Sequence, residues 1–104
     1  MKNDLQGLAE LDRTIHEPAR LMIVSLLYLV READFLYLLR ETGLSKGNLS
    51  SHLTRLEQAG YLKISKTYRG KIPLTLCSLT PAGRAAFQLY RRRLRAAIGA
   101  DRQG

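Results

Sequence analysis

The spacing of apolar residues predicts helices through the first 59 positions of the chain. The clearest stripe is Leu49, Leu53 and Leu56, which fall on one face of a helix. Ser45 is placed to cap that helix. The run from Leu21 to Val30 is apolar almost all round, so its helix lies in the core or against a partner chain. The predicted helices cover residues 4–15, 18–30, 34–42 and 46–59.

Capping residues define where these helices start and stop. Asn3 or Asp4 can cap the first helix, and Asp34 can cap the third. Pro18 suits the first turn of the second helix, where its missing N–H costs no hydrogen bond. Gly43 fits the left-handed position that ends a helix, so a short turn separates the third helix from the fourth.

Two strands and one long helix follow. Residues 61–68 alternate in part between apolar and polar side chains, with aromatic and β-branched residues among them. Arg69–Lys71 is a turn signal, and residues 74–79 form the second strand. Thr80 and Pro81 then begin a helix that continues to about Ile98. The predicted fold class is mainly α with a small β-hairpin, in the order α-α-α-α-β-β-α.

Composition narrows the class of protein. The chain has 104 residues, 45% of them hydrophobic, which suits one globular domain over residues 1–104. A single cysteine excludes an internal disulfide framework. The run at Leu21–Val30 is too short to span a bilayer, which needs about 20 residues, and we expect no signal peptide. We therefore expect a soluble intracellular protein without a membrane partner.

The charge is concentrated in the second part of the chain. Residues 1–44 carry five basic and seven acidic side chains, whereas residues 45–104 carry twelve and two. A segment with a net charge of +10 attracts polyanions, which include nucleic acid, anionic membrane and acidic proteins. The alternative is a basic surface that is merely solvated.

The third and fourth predicted helices, joined by the turn at Gly43, form a candidate helix-turn-helix. The polar side chains of the fourth helix are mostly short, which allows close approach to a major groove about 12 Å wide. Its N-terminal residues are the ones that such proteins present to base edges. An ordinary solvated helix face is the alternative. The candidate residues for base and nearby phosphate contacts are Lys46, Asn48, Ser50, Ser51, Thr54 and Arg55.

The predicted hairpin adds cations directly after this motif. A basic turn at this place is suited to hold the nucleic-acid backbone. The alternative is that the charged end of the hairpin only keeps the protein soluble. The candidate backbone contacts are Lys66, Arg69 and Lys71. Arg91, Arg92, Arg93 and Arg95 in the last helix can add phosphate contacts, flank a dimer interface or be solvated, and we favour the last two because a helix needs a polar face in any case.

Three stretches, Leu44–Leu53, Leu56–Leu62 and Ser78–Arg84, resemble small winged-helix transcriptional regulators. These include the multiple-antibiotic-resistance (MarR-like) and arsenical-resistance (ArsR-like) regulators, and the resemblance covers residues 14–94. It implies a homodimeric bacterial or archaeal DNA-binding regulator, located in the cytoplasm. By the same resemblance, Lys46–Ala59 is the recognition helix, Arg69–Lys71 is the wing, and the terminal helices make the dimer.

The chain departs from the arsenical-resistance pattern because it has neither the cysteine pair nor the histidine and aspartate pairs that bind metal there. Its candidate soft ligands, Cys77, His16 and His52, are far apart in sequence, so we expect no metal and no cofactor. Cys77 fits a small buried residue better than a redox sensor. His52 can contact a DNA backbone or pack beside the sheet, and His16 can cap a helix.

No catalytic motif is present in the sequence, so we expect no enzyme. The most consistent function is sequence-specific regulation through double-stranded DNA. We expect a homodimer on an inverted repeat with half-sites about 10 bp apart or a multiple, with repression as the default. The terminal helices, about 4–15 and 81–98, would contribute to the dimer, together with the 21–30 helix. The alternatives are a protein-docking module and a nonspecific nucleic-acid-binding protein. The sequence names no small-molecule effector.

Overall fold

The computed structural model describes residues 4–99. Along the chain, helices both precede and follow the β-hairpin of a small sheet. The predicted mainly helical fold with a hairpin before the last helix is confirmed. Asn3 and the side chain of Asp4, the predicted first caps, lie outside the described part. The elements are a 3-10 helix Asp4–Glu10, α1 Pro18–Val30, β1 Glu32–Asp34, α2 Phe35–Thr42, α3 Lys46–Gln58, β2 Leu62–Arg69, β3 Ile72–Leu79 and α4 Pro81–Ile98.

Local capping chemistry starts the helices where the sequence predicted. The side chains of Asp34, Ser45 and Thr80 each accept a hydrogen bond from the backbone N–H three residues later, at 2.8, 3.1 and 3.0 Å. For α1 the cap is Glu17, which accepts from the Arg20 N–H at 2.8 Å. The predicted cap at His16 is therefore wrong by one position.

The predicted α-helix over residues 4–15 is a 3-10 helix that ends at Glu10. Gly7 weakens any α-helix through this segment. Asp12 then competes for the backbone, because its side chain accepts hydrogen bonds from the N–H groups of Thr14 and Ile15 at 2.9 and 3.3 Å. The chain consequently turns before α1 instead of continuing as a helix.

A short strand, β1, joins the predicted hairpin and was not predicted. It pairs antiparallel with β3, with Ala33 opposite Cys77, and the strand order in the sheet is β1-β3-β2. Three residues are too few to show a period of two, so only the pairing with β3 defines this strand. Asp34 ends β1 and caps α2, so the strand fixes the start of the helix-turn-helix.

The core lies between α1, α2, α3, the sheet and the start of α4. The three leucines of the α3 stripe are almost fully buried, as predicted from their spacing. In α4, Phe87 and Tyr90 are also buried, whereas Ile98 is 58% exposed. Part of α4, which was predicted to contribute to the dimer, is thus buried inside one protomer. The largest fully buried side chains are Ile15, Ile23, Val24, Leu27, Leu38, Leu49, Leu56 and Cys77.

A close backbone contact attaches α4 to the end of α3. The N–H of Thr80 donates to the carbonyl oxygen of Tyr61 at 3.0 Å, and the Thr80 hydroxyl donates to the carbonyl of Gly60 at 2.6 Å. A Cβ atom at Gly83 would lie 2.1 Å from the Tyr61 carbonyl oxygen. Only glycine allows this approach, so Gly83 determines how closely the first turn of α4 packs against the backbone of Tyr61.

Within the described residues, no helix combines the length and apolar character that a bilayer span requires.

Candidate nucleic-acid interface

The turn between α2 and α3 holds these two helices in a fixed relation. The Thr42 hydroxyl donates to the carbonyl of Leu38 at 2.7 Å and accepts from the N–H of Leu44 at 3.3 Å. Gly43 has φ = 70°, the left-handed conformation predicted for the end of α2. These contacts orient α3 as the second helix of a helix-turn-helix.

The outer surface of α3 is polar and open to solvent. Leu49, Leu53 and Leu56 face the core, so the remaining positions of the helix point outward or to its flanks. No acidic side chain lies in the first turn of α3. The exposed residues include every position predicted on this helix, namely Lys46, Asn48, Ser50, Ser51, Thr54 and Arg55.

The hairpin extends from the sheet as a basic arm. Strands β2 and β3 pair in register up to Arg69 opposite Ile72, and Gly70 and Lys71 make the two-residue turn. Gly70 has φ = 62°, which such tight turns require. All three predicted wing residues are exposed: Lys66, Arg69 and Lys71. Sequence analysis did not single out Tyr68 and Ile72 as contacts, and both are more than 60% exposed near the tip.

His52 lies against two side chains at the start of α1, and its contact with a DNA backbone stays a prediction. Its Nδ1 lies 3.1 Å from a guanidinium nitrogen of Arg20 and 3.9 Å from a carboxylate oxygen of Glu17. The contact connects α3 with the start of α1. Arg20 was missed because it is 32 positions away from His52, and its own neighbours show no distinctive motif.

Two other candidate ligands lie apart from this surface. Cys77 is buried in β3, and burial together with the negative charges of Glu57 and Asp34 raises the pKa of its thiol to about 11. The Nδ1 atom of His16 lies 2.7 Å from the hydroxyl of Tyr90. Among residues 4–99, no group of three or more His, Cys, Asp or Glu side chains is close enough to hold a metal ion.

Comparison with protein families identifies a relationship over most of the chain. The family model described as winged helix DNA-binding domain matches residues 19–98, which include α2, α3 and the hairpin. An uncharacterized protein of Methanocaldococcus jannaschii is 36% identical over 72 residues, which are 68% of this chain and 77% of that protein.

Solved structures show the same fold. A transcriptional regulator homologue from Pyrococcus horikoshii OT3 aligns with a TM-score of 0.86 at 28% identity, covering 94% of this chain and 99% of that one. A protein from Enterococcus faecalis V583 assigned to the MarR family of transcriptional regulators aligns with a TM-score of 0.74 at 19% identity. That alignment covers 86% of this chain and 80% of the other.

Proposed function

The chain belongs to the winged helix DNA-binding domain family, and we propose that it is a sequence-specific repressor that binds duplex DNA as a homodimer. The observation that carries the proposal is the surface of α3. All six predicted residues on this helix are exposed, while its leucine stripe is buried. The helix therefore offers short polar groups and cations outward without any loss of core packing.

The α3 residues have distinct roles in this proposal. Asn48 has a side-chain amide that can pair with adenine, and Lys46 can reach guanine or a phosphate. Ser50, Ser51 and Thr54 are short, so they allow α3 to lie close to the base edges and add hydrogen bonds there. The N-terminal turn of α3 enters the groove first, because such helices present their N-terminal residues to the bases.

The hairpin supplies contacts that do not depend on sequence. Lys66, Arg69 and Lys71 are exposed cations on one basic arm. Long cationic side chains at a tight turn reach phosphate oxygens, which position the protein on the duplex. We propose that these residues hold the backbone beside the groove that α3 reads.

The homodimer is proposed from apolar side chains that one protomer leaves exposed. Leu5 and Leu8 of the 3-10 helix, and Leu89 and Ile98 of α4, all lie at the protein surface. These two segments pack on each other, and a Cβ at Gly7 would lie 3.6 Å from the Cβ of Ala97, so Leu5, Leu8 and Ile98 lie near one another. A second copy would bury them, and two-fold symmetry then predicts an inverted repeat with half-sites about 10 bp apart or a multiple. Binding over a promoter in the bacterial or archaeal cytoplasm would block polymerase.

Selection of bound duplexes from a random pool tests the proposal. At about 0.15 M salt, close to physiological, we expect an inverted repeat that is preferred over random DNA by about 10³-fold or more. Absence of any duplex binding would support a protein-docking role. Binding without preference would instead indicate a nonspecific nucleic-acid-binding protein.

The wing is tested by Arg69→Ala. We expect weaker binding to every sequence, and a salt dependence of log K that is shallower by about 0.9, the value for one lost phosphate contact. Arg92→Ala is the matched control, because Arg92 is an exposed arginine on α4. An unchanged slope for Arg69→Ala would remove the hairpin from the proposed interface.

A further inference from the structure

A basic cleft runs beside α3, on the side where the start of α1 packs against it. Its volume is about 360 Å³. Of its lining residues, only Arg55 belongs to the DNA-contacting set predicted from the sequence. The cleft is lined by Arg13, Thr14, Arg20, Arg55 and Gln58.

Arg20 holds the two sides of the cleft together. Its side chain is buried, at 8% exposure, although it carries a full charge. Its Nε donates to the carbonyl of Thr14 at 2.6 Å, and a terminal nitrogen donates to the carbonyl of Arg13 at 3.5 Å. The other terminal nitrogen contacts His52 of α3 at 3.1 Å. The segment before α1 is therefore fixed against the recognition helix.

The charges around the cleft favour an anion. Arg13 and Arg55 are exposed on its two walls, and the guanidinium of Arg20 lies beneath them. Two carboxylates are close, and both have structural partners. Glu17 accepts the capping hydrogen bond of α1, while Asp12 accepts bonds from backbone N–H groups and the hydroxyl of Tyr61. Three arginines thus face the cleft against two nearby carboxylates, so the positive charge is in excess.

The position of the cleft indicates which anion it meets. Arg55 follows Ser51 by four residues, so both lie on the same side of α3. A helix about 10–12 Å across fills a major groove about 12 Å wide, so phosphates border it on both sides. Guanidinium groups match phosphate oxygens in geometry and charge.

We propose that this cleft binds a backbone phosphate of the duplex that α3 enters, between Arg13 and Arg55. The inference rests on the proposed function and extends it. It assigns Arg55 to a phosphate instead of a base edge, and it adds Arg13 as a contact outside the helix-turn-helix and the wing. Arg20 acts as a positioning residue, because it fixes the backbone of residues 13 and 14 against α3.

The test compares Arg13→Gln and Arg55→Gln with Arg92→Gln, which removes one exposed arginine outside the cleft. Affinity for several short duplexes of unrelated sequence is measured over a range of salt concentrations. We expect each cleft variant to reduce the slope of log K against log salt by about 0.9. Removal of one such phosphate contact should lower the affinity about eightfold at 0.1 M salt, by the same factor for all duplexes. Arg13→Lys should restore most of the slope, since it keeps the charge.

Three results would overturn the inference. One is a slope for Arg13→Gln that equals that of the wild type. Another is an equal change in the Arg92→Gln control, which would show a general effect of net charge. The third is a loss for Arg55→Gln that depends on sequence, which would make Arg55 a base-reading residue. Failure of the wild-type protein to bind any duplex would instead refute the proposed function itself.

Discussion

Substitution of Gly83 by alanine tests the contact that attaches α4 to the end of α3. The added Cβ would lie 2.1 Å from the Tyr61 carbonyl oxygen and 2.9 Å from its carbonyl carbon. Both atoms belong to the backbone, so no side chain can rotate to relieve the overlap. The Tyr61 carbonyl also accepts the N–H of Thr80, the residue that caps α4. The strain therefore acts on the start of α4.

The expected cost follows from the size of this overlap. Inserted methyl groups in packed sites cost typically about 1–3 kcal/mol. We expect the upper end, about 3 kcal/mol, because backbone has to move and a hydrogen bond is weakened. For a domain of this size, that loss lowers the melting temperature by roughly 12–24 °C.

Urea denaturation followed by circular dichroism measures the free energy of unfolding, at one fixed protein concentration because a dimer would be concentration-dependent. Gly47→Ala is the matched control, since a Cβ at Gly47 meets nothing within 4 Å. We expect that variant to be unchanged or more stable by up to about 1 kcal/mol, because alanine favours helix. If Gly83→Ala unfolds at the wild-type urea concentration, the close contact does not determine how α4 is attached.

Three further predictions concern single groups. Ser45→Ala should lower the free energy of unfolding by about 0.5–2 kcal/mol through loss of the α3 cap, whereas Ser45→Asp should keep it; equal urea midpoints for all three proteins would contradict this. The Tyr61 hydroxyl donates a hydrogen bond to Asp12, and this contact raises the pKa of Tyr61 from 10.0 to about 12. The contribution of this hydrogen bond to the free energy of unfolding is therefore present below pH 10 and is lost as the pH rises through 12. In tyrosinate absorbance Tyr61 should titrate late, as should Tyr90, whose pKa burial also raises, and Asp12→Asn should return only Tyr61 toward 10; an unchanged titration would refute the assignment. Cys77 is buried and its pKa is about 11, so a thiol reagent at neutral pH should label it only upon unfolding; rapid labelling of the native protein would reopen a redox role.

The helix-turn-helix and the hairpin were predictable because their signals are local. Ser45 caps α3 three residues from its partner, and the leucines of α3 repeat within two turns. The wing depends on a turn of two residues between adjacent strands. Exposure of the predicted α3 and wing side chains follows from the same patterns, because a helix or strand that buries one face presents the other to solvent.

The first helix shows where local reasoning failed. Its apolar spacing predicted an α-helix through Ile15, yet Asp12 bonds to the backbone and ends the helical path early. Periodicity records which residues can be buried, and it does not record which backbone hydrogen bonds a side chain will take over.

The sequence by itself determined the approximate boundaries of α1 to α4, the buried leucine face of α3, the basic turn and the concentration of positive charge after residue 44. Only the tertiary structure decided that β1 pairs with β3, that Gly83 meets the Tyr61 backbone, and that Arg13 faces Arg55 across a cleft. The physical reason is the distance along the chain. Caps, turns and periodic stripes join residues a few positions apart, whereas these contacts join residues more than 20 positions apart and form only when the core assembles.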